Sequence, residues 1–266
     1  MRRERILVAG PPGTGKTYQW LTIARLLPNR TFHVIDPDDG VVRVWKSEFP
    51  EVENINYYLT PTWFGALSDF ETGQVGGVAN ALTDIKKKIK PNDWVVVEML
   101  NTMWSLAQSG FVEEIFQEGI GEYFMKARKE MKEGAKRLDA LKGWTDWQVI
   151  NKNHNDDFII PICYRLPKPT TPDTNVYMTT SFSITTAEEA SKEDPEQKSF
   201  YGDTMIRIDG QKQNIFRAQS IFLFVKRKGV WRFSTFIKDR GRPFVEDEEL
   251  SDFGLQYLVG VAGFEI

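Results

Sequence analysis

The chain has 266 residues, 41% of them hydrophobic, 27% charged and 13% aromatic, enough to bury one sizeable core or two modest ones. Its 34 Lys and Arg against 37 Asp and Glu leave a formal charge of −3, which excludes a polybasic, histone-like chain. A single cysteine, Cys163, and two distant histidines, His33 and His154, exclude an internal disulfide framework and argue against a cysteine- or histidine-rich metal centre.

The opening MRRERILVAG runs straight into PPGTGK and does not read as a signal peptide. No stretch approaches the roughly 20 apolar residues of a membrane-spanning helix. A soluble, reduced, cytoplasmic protein with no membrane partner is expected.

Ile6-Leu7-Val8-Ala9 reads as a short strand ending at a glycine-rich turn, and Thr17 to Leu27 as a helix stopped by Pro28. Thr31 to Ile35 forms a second strand, closed by Asp36-Pro37-Asp38-Asp39-Gly40. Val75 to Ile89 reads as a helix, and Trp94-Val95-Val96-Val97 as a strand buried on both faces. Met103 to Phe116, Glu122 to Leu141 and Trp147 to Cys163 have helical composition. A Pro/Thr-rich connection then leads to a strand at Asn175 to Thr179, and 181–202 is a polar loop. Ile221 to Lys226 and Val230 to Ile237 alternate as antiparallel strands about a Lys228-Gly229 turn, and Glu248 to Leu258 reads as a closing helix. The pattern predicts one α/β domain over residues 1–266. Its central sheet is mainly parallel, with antiparallel strands appended near the carboxyl end.

Charge is segregated within the near-neutral total. Met205 to Arg242 carries ten basic residues against Asp209 and Asp239, whereas 243–266 carries six acids and no base.

Gly10-Pro11-Pro12-Gly13-Thr14-Gly15-Lys16-Thr17 satisfies G-x-x-x-x-G-K-[ST] between a strand and a helix. Glycines let backbone N–H groups turn inward around phosphate oxygens, and the following helix presents its positive end to them. Lys16 reaches the terminal phosphates, the Thr17 hydroxyl suits Mg²⁺, and Tyr18 continues the loop. Such a loop needs a carboxylate from a neighbouring strand. Glu98, directly after Val97, is the candidate as metal partner, although most such sites use Asp. Asp38, with Asp36 the weaker alternative, ends the second strand on the same edge and could orient a water; turn chemistry explains both equally well.

In this order, the phosphate loop, Ile35-Asp36-Pro37-Asp38, Val95-Val96-Val97-Glu98 and Thr235 to Pro243 resemble RecA-like ATPases. The layout is most like the phage-encoded RecA-like ATP-binding proteins of recombination and single-strand annealing. The resemblance implies a RecA-like core with a helical elaboration over 110–165 and an acidic carboxyl segment over 243–266. ATP and Mg²⁺ are the implied ligands, and the cytoplasm would be a host's. It places the water-positioning role on Asp38, where recombinases have Glu, and a polar sensor on Thr179 or Thr180. Lys238-Asp239-Arg240 is similar to the Lys-x-Arg finger that reaches a neighbouring subunit's nucleotide, which implies a homo-oligomer. A solvated basic turn is the plainer reading of that triplet.

Single-stranded DNA is an implied partner, but the 181–202 loop is net acidic. Lys226-Arg227-Lys228 and the helix bearing Lys126, Arg128, Lys129, Lys132, Lys136 and Arg137 are better placed by charge. That helix also carries Glu122, Glu130, Glu133 and Asp139 at spacings suited to internal pairing. Two functions stay open: ATP hydrolysis on single-stranded DNA in recombination, annealing or replication, or a nucleotide-dependent assembly or packaging module with slow or no hydrolysis. A small-molecule kinase shares the loop but lacks an identifiable lid arginine.

Overall fold

A computed structural model describes residues 3–65, 68–70, 73–136, 150, 152–168, 173–186, 201, 204–239, 244–253, 257, 259 and 260. Its first units are β1 (Arg5–Ala9), α1 (Lys16–Leu26), β2 (Phe32–Asp36), α2 (Gly40–Glu48) and β3 (Ile55–Thr62). A short pair, β4 (Ser68–Phe70) and β5 (Gly73–Gly77), leads into α3 (Val78–Lys88) and β6 (Trp94–Val97). Two helices follow, α4 (Leu100–Phe116) and α5 (Ile120–Lys132), then wide π-helical turns at Lys152–Ile159 and Pro161–Arg165. The remainder is β7 (Asn175–Thr180), β8 (Phe182–Ile184), β9 (Ile206–Ile208), a short helix α6 (Asn214–Arg217), β10 (Ser220–Arg227), β11 (Val230–Asp239), β12 (Glu248–Glu249) and a 3₁₀ turn at Leu250–Asp252.

Ten strands form one sheet in the order β12-β11-β10-β1-β7-β6-β2-β3-β5-β4. Neighbours from β10 through β1, β7, β6, β2 and β3 to β5 run parallel. The strands β11, β12 and β4 pair antiparallel at the two edges. This is the mainly parallel α/β sheet with antiparallel carboxyl-terminal strands that the sequence predicts.

Alternation along the strands explains the two-sided burial. Leu7 and Ala9 of β1 and Val95 and Val97 of β6 join one apolar core with α3 and α4. Ile6, Val8, Trp94 and Val96 join a second, beneath α1 and α2. A strand apolar at every position is what a parallel sheet covered on both faces requires.

Several boundaries differ from the sequence reading. The helix placed at Val75–Ile89 begins at Val78, because 75–77 pairs in the sheet. Gly77 there packs so close to Gly65 that an added Cβ would lie 2.1 Å from the Gly65 nitrogen. The second charged helix ends at Lys132, where Gly134 N and Ala135 N turn back onto Met131 O and Glu130 O; 137–141 lies outside the described residues. Cys163 sits in a π-helical turn rather than an α-helix. Within the 181–202 loop, Phe182–Ile184 pairs with Ile206–Ile208, and 187–200 lies outside the described residues. The segment 41–62, which carries α2 and β3, had no assignment from sequence.

The closing helix is also altered. Glu248 and Glu249 pair with Phe233 and Arg232, and Leu250–Asp252 is a 3₁₀ turn. Phe253, Tyr257, Val259 and Gly260 lie in π-helical turns, so the described residues from Leu250 on are helical as predicted, and their apolar spacing docks the segment on the sheet. Phe253, fully buried, meets Phe222, Phe224 and Phe233 edge-on at ring separations of 5.2, 5.2 and 5.1 Å. Contacts of that geometry contribute about 0.5–1.5 kcal/mol each beyond area burial. Among the described residues no helix is long and apolar enough to cross a membrane.

Candidate functional site

The carboxyl ends of β1, β2 and β6 meet at one sheet edge, where ligands bind in open α/β sheets. The glycine-rich loop leaves β1 there and turns into α1. Gly13 and Gly15 adopt φ of +73° and +87°, left-handed backbone that glycine takes without strain. Gly15 has a second constraint: a Cβ on it would lie 3.2 Å from Leu250 Cδ2 and 3.6 Å from Trp231 Cε3.

Lys16 is buried and donates from Nζ to the carbonyls of Gly10 (2.7 Å) and Pro11 (3.0 Å). Burial lowers its ammonium below the usual lysine range, and the nearby Glu98 charge opposes that shift. Thr14 Oγ1 donates to Pro11 O at 2.8 Å and closes the loop on itself.

Glu98 is held at both oxygens. Thr17 Oγ1 donates to Oε1 at 2.7 Å and Trp20 Nε1 to Oε2 at 2.9 Å. Burial pushes its carboxyl up to about 7; Asp36 adds to the push, while the Thr17 and Trp20 bonds and Lys16 resist it.

Asp36, fully buried, organises the turn after β2. Its Oδ1 accepts from Asp38 N at 3.0 Å, and its Oδ2 from Val41 N and the Tyr57 hydroxyl, both at 3.0 Å. Burial raises its carboxyl, against those backbone and hydroxyl bonds. Tyr57 also faces Asp39 Oδ1 at 2.9 Å, so one hydroxyl proton stands between two carboxylates. The turn leaves Asp38 exposed toward the loop, where it accepts from Thr102 Oγ1 at 3.2 Å.

A cleft of about 550 Å³ gathers these groups: Pro12, Gly13, Thr14, Gly15, Lys16, Thr17, Tyr18, Asp36, Asp38 and Glu98 all line it. Gly10 and Pro11 contribute the carbonyls that hold Lys16. Thr179 and Thr180 turn away into internal bonds, Thr179 Oγ1 accepting from Met99 N at 3.4 Å and Thr180 Oγ1 donating to Asp209 O at 3.0 Å. The next residue, Ser181, lines the cleft instead.

Lys238 is not in this cleft. β11 runs antiparallel to β10, so Asp239 lies opposite Ser220 at the far edge of the sheet. Lys238 Nζ there donates to Ile215 O and Phe216 O, at 3.3 and 3.4 Å. Arg240 lies outside the described residues. On α5, Lys126 pairs with Glu122 at 3.0 Å, as the charge spacing predicts, and also with Glu118, which precedes the helix.

Trp20, Tyr57, Ser181 and Trp231 were not found from sequence. Trp20 gave a signal, as an indole four residues past Lys16 on a helix that must pack under β6. The others depend on strand pairing, which no local pattern reveals.

No protein family profile matches the chain, and no curated protein matches it. Among solved structures it is similar to the RadB recombinase, with 16% identity over 91% of this chain and 83% of that one, at a TM-score of 0.42. It is likewise similar to the ATPase domain of G40P, with 12% identity over 93% and 85% of the two chains, also at 0.42.

Proposed function

We propose that the chain is an ATPase of RecA-like type, acting as one domain, and that the cleft beside the loop is its active site. The observation that carries the reading is the convergence of Lys16, Thr17, Glu98 and the glycine-rich loop on one cleft. In this reading the amides of 10–18 and Lys16 bind the phosphates. Mg²⁺ fits the Thr17 hydroxyl and Glu98 carboxylate, hard oxygen donors 2.7 Å apart at the cleft wall. When bound it would neutralise charge on the phosphate oxygens. Asp38, held by the Asp36 turn and by Thr102, orients the attacking water.

Lys238, with Arg240, serves the nucleotide of a neighbouring copy. Its place at the far sheet edge supports a trans role over a cis one. Single-stranded DNA is the proposed effector. The decisive assay is ATP turnover against protein concentration, with and without single-stranded DNA. The reading expects specific activity to rise with concentration and with DNA, and Arg240→Ala to keep nucleotide binding while losing turnover. Turnover insensitive to DNA but dependent on concentration would favour the assembly module instead.

A second test concerns the turn. Tyr57→Phe removes one bond to a buried carboxylate, so about 1.5–3 kcal/mol of stability is expected to go, read by urea unfolding. Because that turn carries Asp38, kcat should fall several-fold with KM unchanged. A KM effect alone would remove Tyr57 as a positioning residue.

A further inference from the structure

A second cavity of about 320 Å³ opens directly behind the phosphate loop, lined by Gly15, Tyr18, Gln19, Trp231, Leu250 and Ser251. Its volume lies at the lower end of small-molecule pockets, roughly 300–1,000 Å³. Gly15, Tyr18 and Trp231 line both cavities, so the two adjoin there. The chemistry changes across that boundary. On one side stand Lys16, Asp36, Asp38 and Glu98; on the other, two aromatic rings and a leucine, with Gln19, Ser251 and the Tyr18 hydroxyl as the polar side-chain groups.

We propose that this second cavity takes the nucleobase of the nucleotide whose phosphates occupy the loop, gripping the ring by stacking and apolar contact and reading its edge weakly. The inference rests on the phosphate-loop reading above and deepens it. A nucleotide is charged at one end and a flat aromatic ring at the other, and the adjoining cavities match that order. Trp231 is the principal wall. Lys226 Nζ lies 4.8 Å from its ring centre, which steadies the indole by a cation–π contact. Leu250 closes the pocket from the acidic carboxyl segment, and that segment is tied down next to it. Asp247 Oδ1 pairs with Arg227 at 3.2 Å and Arg232 at 3.1 Å, and Thr235 N donates to Val245 O at 2.8 Å. The basic hairpin and the acidic segment thus meet at the pocket, each supplying part of its wall.

The test is calorimetry on the full chain in Mg²⁺ with tripolyphosphate, pyrophosphate, ADP and GDP. Tripolyphosphate reports the loop, and the difference between ADP and pyrophosphate, which carry the same number of phosphates, reports the nucleoside. Wild type is expected to bind ADP at least tenfold more tightly than pyrophosphate, with ADP and GDP within about fivefold of each other. Stacking lost on alanine substitution is worth roughly 1–3 kcal/mol per base, about 5- to 150-fold. Trp231→Ala should therefore weaken ADP by about tenfold or more while leaving tripolyphosphate unchanged, which also shows that the variant is folded. Trp231→Phe should restore most of the loss.

Equal ADP affinity in wild type and Trp231→Ala, with tripolyphosphate still bound, would overturn the base pocket and leave the phosphate loop standing. Discrimination between ADP and GDP beyond a hundredfold would overturn the weak edge reading. Failure of wild type to bind either tripolyphosphate or ADP would sink the phosphate-loop reading itself, and this inference with it.

Discussion

Lys16→Ala is expected to abolish measurable nucleotide binding and to lower turnover about 10³-fold. The ammonium is buried in the cleft at the end of the loop and already spends two hydrogen bonds on the Gly10 and Pro11 carbonyls. Phosphate oxygens arriving in the cleft offer it charged acceptors in place of neutral ones, and charge-assisted bonds are about twice as strong. Removing one preorganised donor from a site where charge develops costs about 10²–10³ in rate, and Lys16 supplies several N–H groups. The same substitution removes two loop-closing bonds, so circular dichroism must first show native structure. Turnover that survived in a folded variant would overturn the assignment of the cleft.

The second large effect concerns Glu98. Glutamine keeps its shape: the carbonyl can still accept from Trp20, and the amide can donate to the Thr17 oxygen. Glu98→Gln should therefore fold, bind nucleotide without Mg²⁺ about as well as wild type, and lose about 10²–10³-fold in Mg²⁺-supported turnover. Its unfolding should also respond to pH in a defined direction. Burial holds the folded carboxyl up to about 7, above the ordinary glutamate value of 4.5. Between those limits the folded state binds more protons than the unfolded one, so stability from this group is present at low pH and lost as pH rises. The cost at pH 8 is on the order of 3 kcal/mol. In metal-free buffer the melting temperature of Glu98→Gln should rise relative to wild type from about pH 5 to pH 7, then hold a constant offset. A difference that stayed flat across this range would show that Glu98 does not bear that cost.

How much of this was legible in the sequence follows from the range over which each signal acts. The loop is a contiguous string whose spacing is itself the chemistry, so its residues could be named before any fold was known. Trp94 to Val97 announced a two-sided strand because four consecutive apolar residues have few other uses. Glu98 followed because it ends that strand. Tyr57 could not be found this way. It matters only because β3 lies beside β2 and brings its hydroxyl to the Asp36 turn. Trp231 is similar: 215 residues separate it from Lys16, and only the β10–β11 return places it behind Gly15. The closing segment was legible in part: Leu250, Phe253 and Tyr257 have helical spacing and lie in 3₁₀ and π-helical turns, whereas Glu248 and Glu249, read as part of the same helix, pair with β11.

The position of Lys238 carries a consequence for symmetry. β1 is five residues long, a span of roughly 17 Å, and Lys16 and Lys238 lie beyond opposite ends of it and its neighbour β10. Two copies related by a two-fold axis can set each cleft against the partner's Lys238 only side by side with their strands antiparallel, since such a contact places residue i on j and j on i, and that joint closes at two copies. The other arrangement joins Lys238 to a cleft head to tail, with unlike surfaces in contact and a free end of each kind. Such a joint has a direction, and repeating it gives a closed ring or an open filament according to the rotation at each step.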